Sequence, residues 1–128
     1  MKKYNAFWLS FIVTILVTVS GYSQEKAAHL LNNENFKKAI ENTEVQLVDV
    51  RTDKEFSEGT IEYAKNINVL EDSFIDKTKE LSKDEPVYIF CKSGKRSEKA
   101  RNILLEQGFK TVYELDGGYA KWQEGNNK

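Results

Sequence analysis

One cysteine, one proline, one histidine and one methionine are all that 128 residues contain of these types. A lone thiol closes no bridge within the chain, so stability has to come from a packed core and not from a disulfide framework. A single cysteine and a single, distant histidine are too few for a zinc site. No histidine falls within the domain to act as the base of a serine or cysteine triad. His29 lies in a polar lead-in and reads as solvated. The residues call for no metal and no cofactor. One proline argues against a proline-rich disordered chain, and no repeat or low-complexity tract is present. Basic charge is not in excess either: 19 Lys and Arg stand against 20 Asp and Glu, a net charge of −1, which excludes the electrostatic footprint of a nucleic-acid binder.

The N-terminus has a pattern of its own. Lys2-Lys3 precedes an apolar run from Phe7 to Val19, broken only by Ser10, Thr14 and Thr18, and the small residues Gly21 and Ser23 come just before Gln24. This is the layout of a secretory signal peptide over residues 1–23, with export to the periplasm or outside the cell as the expectation. The run is short for a spanning helix, so contact with a membrane is expected only through an uncleaved leader. Cleavage takes Lys2 and Lys3 and no acid, moving the net charge to about −3. Residues 24–31 are expected to form a flexible lead-in, and the remainder is long enough for one domain with one core.

Along that remainder helix and strand patterns alternate. Asn33 is placed to cap a helix reaching Ala39 and Ile40, with Phe36 and Ile40 on one face. Val45 to Val50 is an almost continuous apolar strand of the kind buried on both faces of a parallel sheet. Asp53 to Glu58 reads as a short helix stopped by Gly59. A short strand falls within Ala64 to Val69, and a helix from about Asp72 to Leu81 turns Phe74, Thr78 and Leu81 inward. Pro86 to Phe90 is a strand, Ser97 to Gln107 a helix closed by Gly108, and Thr111 to Leu115 a last strand. Gly117-Gly118 then turns the chain into a short helix that carries Trp122. The expected fold is α/β, a mostly parallel central sheet flanked by helices on both faces. Ligands of such sheets bind beyond the carboxyl ends of the strands, where Asp49 and Cys91 both stand.

Cys91 is the residue around which chemistry gathers. It ends a buried strand and is followed by Lys92-Ser93-Gly94-Lys95-Arg96-Ser97 and then a helix. Nearby cations and a helix N-terminus both favour a thiolate. A glycine-containing loop can aim successive backbone N–H groups at the sulfur and at a small oxyanion beside it. The competing reading, an inert buried cysteine, leaves the basic loop unexplained.

Three segments carry a resemblance. Cys91 to Ser97 resembles the active-site loop of rhodanese-like sulfurtransferases. Leu47-Val48-Asp49-Val50-Arg51-Thr52-Asp53-Lys54-Glu55-Phe56-Ser57-Glu58-Gly59-Thr60-Ile61, continued by Ala64-Lys65-Asn66-Ile67, resembles an earlier signature of that family. Leu115-Asp116-Gly117-Gly118-Tyr119-Ala120-Lys121-Trp122 is similar to its C-terminal signature. The resemblance implies a single rhodanese-like domain over 32–125. In it Cys91 takes a sulfur atom from a small anionic donor such as thiosulfate, holds it as a persulfide, and yields it to a thiol or to cyanide. It implies that Lys92, Lys95 and Arg96 attract the donor, with the loop from Lys92 through Ser93 and Gly94 to Ser97 stabilising the sulfur anions. A redox or sulfur-relay protein is an expected partner if the thiol works in an oxidising compartment.

Four residues separate Cys91 from Arg96. Related phosphatases of the cell-cycle type place five there, so the shorter loop favours sulfur transfer over phosphatase or arsenate-reductase chemistry. A carrier or sensor domain without turnover is the other alternative. Asp49, Arg51 and Glu55 are candidates for the rim of the site, with an ion-pair and capping network as the favoured reading. The chain departs from the family pattern at Thr60, where a histidine is usual, at Tyr63 in place of a glycine, and at Asn68 in place of a proline.

Overall fold

A computed structural model describes residues 28–41 and 44–127. The leader expected over residues 1–23 lies outside the described residues. Five strands, β1 (Leu30–Leu31), β2 (Gln46–Asp49), β3 (Lys65–Asn66), β4 (Val87–Phe90) and β5 (Val112–Leu115), form one sheet in the order β1-β5-β4-β2-β3. Every pairing is parallel. The helices are α1 (Asn33–Glu41), α2 (Asp53–Glu58), α3 (Phe74–Lys77, continued by a 3-10 turn at Thr78–Glu80), α4 (Lys95–Glu106) and α5 (Gly118–Asn126).

The period of two along each strand sorts side chains into two cores. Val48, Val87, Ile89 and Val112 meet Phe74 from α3 and Ala100 and Leu104 from α4 on one face. Leu47, Phe90 and Leu115 meet Phe36 from α1, with Tyr119 and Trp122 from α5, on the other. The aromatic rings close the second core edge to face: Phe36 stands at 85° to Tyr88 and 77° to Trp122. The doubly covered parallel sheet is thus the one expected from the near-continuous apolar strands.

Four local expectations need correction. The lead-in does not run to Leu31, because Leu30 and Leu31 add an edge strand to β5, in register with Glu114 and Leu115. A strand of two residues shows no alternation from which to read it. The α1 cap is Asn32, whose Oδ1 accepts from the Asn35 amide at 2.9 Å, and Asn33 is already helical. The helix expected from Asp72 to Leu81 is a single α turn followed by a 3-10 turn, although Phe74 and Thr78 are buried as expected. α4 begins at Lys95, two residues before the expected start at Ser97, which draws its N-terminus closer to Cys91.

Candidate active site

β2 and β4 are adjacent, with Asp49 opposite Phe90. The Val50 amide donates to the Phe90 carbonyl at 3.0 Å, so the chain just past Asp49 and the chain at Cys91 leave the same rim side by side. After Cys91 the backbone turns through Gly94, whose φ of 123° lies in the region that favours glycine. That turn aims the Gly94 amide at the Cys91 Sγ, 3.0 Å away. The thiol in turn donates to the Ser97 Oγ at 3.6 Å. The sulfur therefore sits at the N-terminal end of α4 with a backbone N–H on it. It is only 1 % exposed.

α5 fixes this loop from the opposite side. The Tyr119 amide donates to the Cys91 carbonyl at 2.8 Å and the Ala120 amide to the Lys92 carbonyl at 3.1 Å. Gly118 lies so close that a β-carbon would stand 2.5 Å from the Lys92 carbonyl carbon and oxygen. Gly117 ends the turn and caps α5, and Gly118, the first residue of that helix, brings the loop and α5 into backbone contact.

Beside the loop is a hollow of about 270 Å³ lined by Arg51, Glu55, Gly59, Lys92 and Tyr119, among others. Lys92, Ser93 and Lys95 are exposed, and neither Lys92 nor Lys95 has an ion-pair partner among the described residues. These two lysines remain available to an anion. Arg96 is engaged elsewhere, gripping Glu55 through both nitrogens at 2.5 and 3.0 Å. This guanidinium holds the Glu55 carboxyl well below the usual range, at about 2, against the opposing effect of burial. Glu55 also completes a capping box with Thr52 at the start of α2.

Asp49 and Arg51 form a buried pair, 2.7 Å at its shortest and bidentate. Arg51 also donates to the Gly59 carbonyl at 2.7 Å and stacks 4.3 Å over the Tyr119 ring. Thr60, at the position where a histidine is usual in the resembling family, donates its hydroxyl to Asp49 at 2.9 Å. Asn66 ties the Asp49 and Arg51 carbonyls together. These contacts make Asp49, Arg51 and Glu55 a frame around the hollow, with Arg51 and Glu55 reaching its wall. Tyr63 takes a φ of 69°, the conformation for which a glycine is suited, and its side chain is 90 % exposed. Asn68 accepts from the Leu70 amide and caps a turn.

Sequence reasoning missed Glu114 and His29. Glu114 is buried (2 % exposed) on the α4 side of β5 and accepts from the Ser97 hydroxyl at 2.9 Å. His29 is not simply solvated: its Nε2 lies 3.3 Å from Glu114 Oε2. The available signal was an acid inside the buried Val112–Leu115 strand, on the same face as Val112.

A parallel five-stranded sheet with a cysteine-bearing loop between its central strand and a helix N-terminus defines a class of α/β domain. Residues 32–125 match the family described as Rhodanese-like domain, and the chain belongs to that family. It is 38% identical over 82 residues to the thiosulfate sulfurtransferase GlpE of Shewanella oneidensis, covering 64% of this chain and 79% of that one. It is 35% identical over 117 residues to a tRNA uridine(34) hydroxylase of Acinetobacter baumannii, covering 88% of this chain, yet it spans only 37% of that relative's length. Among solved structures, the rhodanese-like domain protein from Staphylococcus aureus superposes with a TM-score of 0.65 at 33% identity, covering 73% of this chain and 89% of that one.

Proposed function

We propose that this protein is a sulfurtransferase that moves a sulfane sulfur from a small anionic donor of the thiosulfate type to a thiophilic acceptor through a persulfide on Cys91. The observation that carries the reading is the Gly94 amide 3.0 Å from the Cys91 Sγ at the start of α4. The thiolate attacks the outer sulfur of thiosulfate, a new S–S bond forms on Cys91, and the old S–S bond breaks as sulfite leaves with its electron pair. Cyanide or a thiolate then attacks the outer sulfur of the persulfide and releases the Cys91 thiolate. This is covalent catalysis in two displacements, with ping-pong kinetics as its signature. The exposed Lys92 and Lys95 draw in the donor, and the hollow beside Lys92 receives it.

Supporting this reading, the GlpE relative carries the name thiosulfate sulfurtransferase and is covered over most of its length. The loop from Cys91 to Arg96 also has the shorter spacing. Export of the mature domain, with a redox or sulfur-relay protein that keeps the thiol competent, belongs to the same proposal. Protein treated with thiosulfate should gain the mass of one sulfur atom and lose it to cyanide. Full transferase activity in Cys91→Ser would sink the assignment.

A second reading has its own observation. Cys91 is 1 % exposed, which suits a domain that carries sulfur for a docked partner and does not turn over freely. A persulfide that forms with thiosulfate but passes to neither cyanide nor thiols would favour that carrier.

A further inference from the structure

Behind the thiol loop, on the side of the sheet covered by α4, lies a second hollow of about 410 Å³. Its wall includes His29, Gly94, Arg101 and Glu114. Glu114 joins it to the sulfur. The Cys91 thiol donates to Ser97 Oγ at 3.6 Å, and the Ser97 hydroxyl donates to Glu114 Oε1 at 2.9 Å. Ser97 is fully buried, and its one proton has a second acceptor, the Gly94 carbonyl at 2.9 Å. The other carboxyl oxygen of Glu114 lies 3.3 Å from Nε2 of His29, whose side chain is 25 % exposed. Strand pairing sets that last contact, because the Glu114 amide donates to the His29 carbonyl at 2.8 Å as β1 joins the sheet. Four polar groups thus form a line from the buried sulfur to the surface.

We propose that Cys91 and Glu114 hold one proton in common, exchanged through the Ser97 hydroxyl, and that His29 joins this pair to the surface. When the thiolate forms, the Cys91 S–H bond breaks and its proton goes to Ser97 Oγ, while the Ser97 proton passes to Glu114 Oε1. Ser97 ends as a hydroxyl and Glu114 as a neutral acid. The pair carries one negative charge before and after, so the buried cluster is spared a second. Glu114 is a proton-holding residue acting through Ser97 and touches no substrate.

The surrounding charges suit this role. Burial pushes the Glu114 carboxyl up, opposed by the Ser97 hydrogen bond and by Arg101, with Glu98 adding to the rise. Burial and Arg101 push His29 down, with Glu98 opposing, which favours the neutral ring, whose Nε2–H can donate to the carboxyl. Asp116 borders the same hollow, and Arg96 and Asp49 flank the site on the thiol side. The inference rests on Cys91 being the reactive thiol. Its test reads proton occupancy and not sulfur transfer, so the two can fail separately.

The chain's single cysteine makes alkylation by iodoacetamide report Cys91 alone. In the full protein the alkylation rate should climb with pH in two steps separated by a plateau, as two strongly coupled groups require. The Glu114 carboxyl resonance in carbon NMR should move in the same two steps. Glu114→Gln should leave one step and raise the rate on the former plateau several-fold, since no second group then competes for the negative charge. His29→Ala should move the lower step to higher pH, because the carboxylate loses a donor. A single alkylation step in the wild-type protein, or a Glu114 resonance that ignores the thiol's titration, overturns the shared proton, and both are read without any variant. Two steps surviving in Glu114→Gln overturn it as well, and a lower step that His29→Ala leaves in place removes the link to the surface.

Discussion

Gly118 rests against the backbone of Lys92, with room for a hydrogen and none for a methyl group. A β-carbon there would lie 2.5 Å from the Lys92 carbonyl carbon and 2.6 Å from the Cys91 carbonyl oxygen, and the glycine already holds a φ of 63°. The C-terminal helix therefore acts as the floor of the thiol loop. Through Gly118 the contact ties the C-terminal signature to the loop that holds Cys91.

Gly118→Ala should destabilise the fold by about 1–3 kcal/mol, the usual cost of forcing extra volume into a closed contact. Backbone atoms and not a flexible side chain meet the new methyl, so relief has to come from moving the loop. Persulfide formation with thiosulfate should fall further than the melting temperature suggests. Wild-type rates in a variant that folds would remove α5 from the site.

Arg51 is held by Asp49, the Gly59 carbonyl and the Tyr119 ring, and both members of the ion pair are buried. Arg51→Ala leaves the Asp49 carboxylate buried without its counter-charge, which should cost about 3–5 kcal/mol in urea unfolding. Adding Asp49→Asn to that variant should recover part of the loss, since the bare charge is then gone. Costs that simply add would show that the two residues act independently.

Glu55 gives the fold a pH dependence of defined sign. Arg96 depresses its folded-state pKa from 4.5 to about 2, so the pair's stabilisation is present above 4.5 and fades as pH falls through about 2. Glu55→Gln can keep the capping box but loses the charge that Arg96 grips. It should lower stability at pH 7 by about 1 kcal/mol, discounted for partial exposure. Near pH 2 wild type and variant should converge. A gap that stays constant with pH would mean that the cap, not the charge, carries the effect.

Much of the framework was legible in the sequence. The apolar runs at Leu47–Val50 and Val87–Phe90 have the continuity of strands covered on both faces, and both are strands of a parallel sheet. Asp53–Glu58 forms as expected because its start and stop signals, Thr52 with Glu55 and then Gly59, are local. Cys91 could be singled out because a strand end, a basic loop and a helix start are consecutive in the chain.

What the sequence by itself determined is what depends on neighbours along the chain: the alternation of strands and helices, the thiol at a strand end, and the loop length behind it. Tertiary structure decided who faces whom. Arg96 turns to Glu55, forty-one residues away, so of the loop's cations only Lys92 and Lys95 stand without a carboxylate partner among the described residues. A two-residue edge strand brings His29 onto Glu114, and α5 returns to seat Gly118 beneath Lys92. Parallel strands pair across long crossovers, so such meetings leave no periodic trace in the sequence. An acid within a buried strand reads only as a departure from the apolar pattern until the sheet supplies Ser97 on one side and His29 on the other.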